Sequence, residues 1–207
     1  MSFENEEDPV SPLVREERHT KKAPAIQIGQ LRKEFSTTEG NYVAVKGLSM
    51  GMYENELVSL LGRNGAGKTT LISMLTGLIP PTFGDASIFG NRISTDLAEI
   101  RKYLGVCPQY NTIWEKLSVR DHLIIYAGLK GTPILKSKAM VDSMLDEVKL
   151  GEKAGDWASK LSGGQKRRLC VAMAFIGGSK VIFLDEPTSG LDPNSRRAIW
   201  GKNIFSS

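Results

Sequence analysis

The chain has 207 residues, of which 41% are hydrophobic and 24% are charged, and its formal net charge is +4. This globular composition excludes a disordered polyelectrolyte and a dedicated nucleic-acid arm, because the charge excess is small and no long basic run carries it. The two cysteines, Cys107 and Cys170, are too few for a disulfide framework, so a cytosol-facing compartment is expected. The longest uncharged run, Thr69 to Gly84, is too short for a membrane span.

The chain begins with a segment that is rich in charge and proline, and residues 1–24 are expected to be a disordered tail or linker. From Ala25 onward the pattern predicts strands, because Ile26 and Ile28 alternate with polar residues and a second run follows a turn near Gly40. Leu57–Gly62 is almost continuously apolar, which predicts a buried central parallel strand.

Apolar side chains at helical spacing follow in four stretches, which begin at Leu71, Leu97, Val141 and Leu169. Ser118 and Asp121 have the spacing of a capping box, and predict that a helix starts there. Another apolar strand, Val181–Leu184, ends the region. We therefore predict an α/β domain over residues 25–207, with N-terminal antiparallel strands, a parallel sheet and an inserted helical subdomain at about residues 110–176.

Gly62–Thr69 matches G-x-x-x-x-G-K-[ST] and lies between an apolar run and a predicted amphipathic helix. Glycines let the loop wrap tightly, so that backbone N–H groups converge on phosphate oxygens at a helix N-terminus. Lys68 is expected to reach the β and γ phosphates, and the Thr69 hydroxyl to bind Mg²⁺.

Two adjacent carboxylates, Asp185 and Glu186, follow the last apolar strand. Because neighbouring side chains at a strand end point in different directions, they can have separate roles. Asp185 is expected to orient Mg²⁺, and Glu186 to act as general base on an attacking water.

The pentapeptide Leu161–Gln165, with sequence LSGGQ, precedes the fourth apolar stripe. It combines a small hydroxyl, two glycines and an amide, and predicts a second anion site before a helix. One chain would then carry two phosphate-binding elements.

Together these motifs resemble the nucleotide-binding domain of the ATP-binding cassette (ABC) transporter family, over about Ile26 to Trp200. The resemblance implies that Gln109 is the glutamine of the Q-loop, which binds Mg²⁺ and faces the transmembrane partner, and that Asp192 belongs to the D-loop. It also implies an aromatic residue that stacks on adenine, for which Phe35 fits best and Tyr42 is the alternative. The segment Gly62–Thr70 resembles the Walker A motif of the family. The ATP-binding residues that this implies are Gly62, Asn64, Gly65, Ala66, Gly67, Lys68, Thr69 and Thr70.

In this family two domains pair head to tail, so the resemblance implies that the signature residues of one copy bind the ATP held by the other. These residues are Ser162, Gly163, Gly164 and Gln165. Catalysis of ATP hydrolysis would involve Lys68, Gln109 and Glu186, with Mg²⁺ bound by Thr69, Gln109 and Asp185. Closure of the dimer would move the transmembrane domains that the Q-loop faces. The resemblance therefore implies that the chain lies at the cytosolic face of a membrane.

The segments Cys107–Leu123 and Leu184–Trp200 most resemble the A subfamily, many of whose members export or flip lipids. The switch histidine of the family has no counterpart, because His19 and His122 lie elsewhere, so a C-terminally truncated domain is expected. Two alternatives remain: a soluble ABC ATPase without a transport role, and a non-hydrolysing ATP-binding module. Nucleic acid is not an expected partner.

Overall fold

The computed structural model describes residues 23–38 and 40–188, and these divide after Leu97 into two compact units. All but the last two residues of the predicted tail lie outside the described residues. In chain order the elements are β1 (Ile26–Thr37), β2 (Gly40–Met52), α1 (Lys68–Leu75), β3 (Phe83–Ile88), β4 (Asn91–Arg92), α2 (Leu97–Tyr103), β5 (Leu104–Cys107), α3 (Val119–Leu129), α4 (Ile134–Glu147), α5 (Gly163–Phe175) and β6 (Val181–Leu184).

The first unit contains an antiparallel four-stranded sheet in the order β2-β1-β3-β4. Its central strand β1 begins with the predicted alternation, because Ile26 and Ile28 are buried and Gln27 between them is exposed. A register shift after Ile28 interrupts the alternation, and Leu31 is the next buried residue. The N-terminal antiparallel strands are therefore confirmed.

Helix α1 follows the glycine-rich loop, and the apolar stripe beneath it is confirmed for three residues. Leu71, Met74 and Leu75 are buried. The stripe was expected to continue to Leu78, which is instead 71% exposed, because the helix ends at Leu75 and is capped by Thr76.

The prediction of a central strand at Leu57–Leu61 is wrong. This segment belongs to neither sheet, and the side chains of Leu57 and Leu61 are 73% and 76% exposed. An apolar run expresses a preference for burial, whereas a strand also needs hydrogen-bonded neighbours, and parallel neighbours are distant in sequence. The run itself therefore contains no information about its pairing.

The second unit contains a parallel pair of strands, β5 and β6, in register from Leu104 opposite Val181 to Cys107 opposite Leu184. Strand β6 has the bounds predicted from the sequence. With both parallel and antiparallel sheets and five α-helices among the described residues, the predicted α/β class is confirmed.

Helices α3, α4 and α5 lie within the range predicted for the helical subdomain and share one apolar core. The capping box predicted for α3 is present, since the Ser118 hydroxyl accepts from the Asp121 N–H and the Asp121 carboxylate accepts from the Ser118 N–H. His122, on the same helix, is fully buried: its Nδ1 lies 2.7 Å from the Ser118 carbonyl oxygen and its Nε2 accepts from the Trp114 N–H at 2.9 Å. These contacts give His122 a structural role.

Strand β5 lies against the backbone of α5. A Cβ added at Gly105 would lie 2.0 Å from the carbonyl oxygen of Ala174, so only glycine permits this approach. Across residues 23–38 and 40–188, no helix is both long enough and apolar enough to cross a membrane.

Candidate nucleotide-binding site

The glycine-rich loop in the first unit is shaped by left-handed backbone conformations. Gly65 and Gly67 both have a φ of 86°, and the Ala66 N–H closes a turn on the Arg63 carbonyl at 3.1 Å. A Cβ at Gly67 would lie 2.2 Å from the Ala44 carbonyl oxygen, whereas one at Gly65 would meet nothing within 4 Å. The last glycine therefore lets the loop lie directly against β2.

Lys68 is the first residue of α1, and its side chain extends back along the loop. Its Nζ donates to the carbonyl oxygens of Gly62 and Arg63 at 2.8 and 2.9 Å. Thr69 and Thr70 follow in the first turn of the helix. This arrangement brings an ammonium group, helix-terminal N–H groups and hydroxyl side chains to one end of α1, which is the chemistry that phosphate binding needs.

The two candidate adenine-stacking residues face one another across the β1–β2 hairpin, where Phe35 is the register partner of Tyr42. The Phe35 ring has the Lys33 ammonium 5.2 Å from its centroid. Tyr42 is the one that contacts the glycine-rich loop, because its hydroxyl donates to the Gly65 carbonyl at 3.2 Å. The structure thus brings the alternative candidate to the loop, and Phe35 next to it on the hairpin.

In the second unit, the predicted Q-loop glutamine and catalytic glutamate lie in contact. Gln109 follows β5 and Glu186 follows β6, and because these strands are parallel neighbours their carboxyl ends meet. The Gln109 Nε2 donates to the Glu186 Oε2 at 3.1 Å. Asp185, between β6 and Glu186, is 92% buried, with its own N–H donating to the Cys107 carbonyl.

Glu186 has a backbone conformation that is unusual for a residue with a side chain. Its φ is 46°, in the left-handed region. Such residues cost of order 1 kcal/mol and are concentrated at functional sites, where the surrounding structure holds them in place. The left-handed backbone sets the direction in which the Glu186 side chain leaves the chain, and the Gln109 amide is a hydrogen-bond partner of its exposed carboxylate.

The LSGGQ segment forms the start of α5. The sequence analysis placed the helix after the motif, whereas in the structure the helix begins inside it, at Gly163. Ser162 is the N-cap: its hydroxyl accepts from the Gln165 N–H at 3.3 Å, and the Gln165 Oε1 accepts from the Ser162 N–H at 2.8 Å. Among the described residues, no acceptor is found for the N–H groups of Gly163 and Gly164. The two glycines thus present backbone donors at a helix N-terminus.

Arg167 is the site residue that the sequence analysis missed. It is 3% exposed, and its guanidinium donates to five backbone carbonyls, those of Pro108, Gln109, Asp185, Glu186 and Pro187. The sequence offered only a weak signal, the run Lys166–Arg168 at the start of an otherwise apolar helix, and this does not indicate which of the three cations is buried.

Oxygen atoms of the kind that Mg²⁺ binds are present in the second unit, on Gln109 and Asp185. In the part of the chain that the structure describes, no group of three or more His, Cys, Asp or Glu side chains could hold a metal ion. Mg²⁺ is usually bound through one or two carboxylates together with phosphate oxygens and water.

The chain matches the family described as ABC transporter over residues 45–189, which is more than half of its length. It belongs to the ABC transporter family. Its curated relatives include A-family members: ABC transporter A family member 2 of Dictyostelium discoideum is 49% identical over 96% of this chain, and the phospholipid-transporting ATPase ABCA3 of Rattus norvegicus is 48% identical over 86%. The chain spans only 12% and 10% of these relatives.

Solved ABC cassettes have the same fold. A dimeric bacterial ABC transporter cassette, 24% identical, aligns with a TM-score of 0.79 over 87% of this chain and 81% of its own. An ATP-binding subunit of an ABC transporter, 26% identical, aligns with a TM-score of 0.76 over 87% of this chain and 73% of its own.

Within this ABC domain, the described residues bring together three of the predicted site residues, Gln109, Asp185 and Glu186, with the signature motif on the same unit. The predicted Walker A residues form one loop in the other unit. Asp192, the predicted D-loop residue, lies outside the described residues.

Proposed function

We propose that this chain binds Mg²⁺·ATP and hydrolyses it to ADP and phosphate, as the ATPase domain of an A-subfamily transporter. The observation that carries the proposal is the loop ahead of α1, where two left-handed glycines and the Lys68 ammonium lie at a helix N-terminus. The name of the 26% identical relative, an ATP-binding subunit, supports it.

The hydrolytic step is assigned to Glu186 as general base, with Gln109 as the residue that orients it. The Gln109 amide donates to the Glu186 carboxylate and would help to direct it toward the attacking water, which a general base must reach within hydrogen-bond distance. Asp185 and Gln109 are the residues of the second unit that would hold Mg²⁺, whose role when bound is to neutralise charge on the phosphates.

The partner is proposed to be a second ABC domain, arranged head to tail. The N–H groups of Gly163 and Gly164, together with the Ser162 hydroxyl, are the donors that would contact the γ-phosphate held by the Lys68 of the other copy. Closure and reopening of this dimer would move transmembrane domains at the cytosolic face of a membrane. The cargo is proposed to be a phospholipid, since a 48% identical relative is named for that activity.

ATP binding and turnover by the full chain test the proposal. Lys68→Ala removes charge-assisted hydrogen bonds to phosphate, and we expect ATP affinity, measured by calorimetry, to fall roughly tenfold or more. Lys102→Ala is the matched control, because that lysine is paired with Glu99 on the surface. Unchanged affinity in Lys68→Ala would contradict the proposal.

The assignment of the base is tested separately. Glu186→Gln is expected to lower turnover by about 10²- to 10⁴-fold and to leave ATP affinity within a few-fold. Glu152→Gln, an exposed glutamate in another part of the second unit, is the control. Full turnover in Glu186→Gln would show that another group accepts the proton, and binding without any turnover in the unsubstituted chain would favour the non-hydrolysing alternative.

Phospholipid transport is a property of the assembled transporter. In vesicles made from membranes of cells expressing the gene for this chain, a fluorescent phospholipid should change leaflet when ATP is added, and Glu186→Gln should prevent it. ATP-dependent movement of other cargo, with no movement of phospholipid, would refute the cargo assignment alone.

A further inference from the structure

Arg167 joins three segments of the second unit that are distant in sequence. From α5 its guanidinium reaches the carbonyls of Pro108 and Gln109 after β5, and those of Asp185, Glu186 and Pro187 after β6. The side chain is 3% exposed, so the guanidinium itself is shielded from water, and its bond to the Asp185 carbonyl is fully buried. Gln109 and Glu186, whose side chains contact each other, both have their backbone carbonyls bound by this one residue.

The number and geometry of these bonds suit arginine and no other side chain. A guanidinium has five N–H donors in a fixed planar fork, and here each of its three nitrogens donates to at least one carbonyl. A lysine ammonium has three donors at a single point, so Arg167→Lys would leave some of the five carbonyls, which are buried or partly buried, without this partner.

We propose that Arg167 is a positioning residue for ATP hydrolysis. It fixes the backbone on either side of Gln109 and Glu186, and thereby connects the positions of these two residues to helix α5, which begins in the LSGGQ motif. The inference rests on the proposed function. Arg167 lies two residues after Gln165, so the same turn of α5 that begins with the LSGGQ donors also holds the loop with the proposed base.

The neighbouring Arg168 provides a matched comparison. It lies on the same helix and also donates to two backbone carbonyls, those of Val148 and Lys149, at 3.0 and 3.1 Å. These carbonyls follow α4 and flank no predicted site residue. Arg168→Lys therefore removes a similar connection between helix and loop without disturbing Gln109 or Glu186.

The experiment compares the unsubstituted chain, Arg167→Lys and Arg168→Lys by amide hydrogen exchange and steady-state ATPase kinetics. In Arg167→Lys, exchange should become about tenfold faster in residues 104–110 and 181–188. Its kcat should fall by roughly 10²-fold, the effect of a displacement of about 1 Å, while KM for ATP stays within about threefold. Arg168→Lys should change neither the exchange of these segments nor kcat.

An unchanged kcat in Arg167→Lys, an equal loss in Arg168→Lys, or a loss that appears only in KM would overturn the inference. An unsubstituted chain that does not hydrolyse ATP would refute the proposed function instead, and exchange would then decide whether Arg167 holds the two segments.

If circular dichroism shows that Arg167→Lys is unfolded, the unsubstituted chain provides the test. The NMR resonance of the Arg167 Nε–H should shift when Mg²⁺ and a non-hydrolysable ATP analogue are added, and that of Arg168 should not. No shift at Arg167 would overturn the inference.

Discussion

Gly67 gives the sharpest test of how the glycine-rich loop is built. Gly67→Ala would place a Cβ 2.2 Å from the Ala44 carbonyl oxygen, at a φ of 86°. The left-handed conformation costs an L-residue about 1–2 kcal/mol, and displacing a packed backbone group about 1–3 kcal/mol. We therefore expect α1 and the loop to be destabilised by about 2–5 kcal/mol, measured by amide hydrogen exchange of residues 68–75 and by denaturant unfolding.

Gly65→Ala is the control for the conformational part of this cost. Gly65 has the same φ of 86°, but a Cβ there would have no atom within 4 Å, so about 1–2 kcal/mol is expected. The difference between the two variants isolates the contact with Ala44, and corresponds to roughly 5- to 150-fold faster exchange of α1 in Gly67→Ala. Equal effects in both variants would refute the argument that close packing against β2 requires a glycine at position 67.

Three further predictions concern the second unit. Ser162→Ala should lower the free energy of unfolding by about 1 kcal/mol, because the capping box of α5 is lost; Ser162→Thr should retain most of it, and equal urea midpoints for the two would contradict this. Lys130→Met should lower the free energy of unfolding in urea by about 2–4 kcal/mol, because the Lys130 ammonium donates to two carbonyls at the end of α5 and to the Ser179 hydroxyl. An unchanged urea midpoint would show that those acceptors find other donors. Burial raises the pKa of the Cys107 thiol to about 12, so N-ethylmaleimide should label Cys107 at neutral pH only after unfolding, and rapid labelling of the folded chain would contradict its burial.

Much of the local structure could be predicted, because each element carries its own signal. The period of the apolar residues in α5 places Leu169, Ala172 and Met173 in the core, and all three are buried. The Ser118–Asp121 spacing predicted the start of α3, since a capping box depends only on residues within one turn. Glycine loop, carboxylate pair and LSGGQ likewise lie on contiguous residues.

The rest depended on partners that the sequence does not specify. Leu57–Leu61 was expected to be a buried strand, but in the structure it forms no strand and its leucines are exposed. A parallel strand needs partners that are distant in sequence, and an apolar run does not identify them. Arg167 was missed for a related reason. A buried arginine is identified by its acceptors, and here these are backbone carbonyls, which every residue has.

The absent side chain at Gly105 has a mechanical consequence. Because β5 lies against the backbone of α5 at this point, a tilt of the helix toward the sheet is resisted by main-chain atoms, which cannot rotate away as a side chain can. Helix α5 and the two parallel strands are thus expected to move as one rigid body. A displacement of α5 near Ser162 would then displace the ends of β5 and β6 by a similar amount.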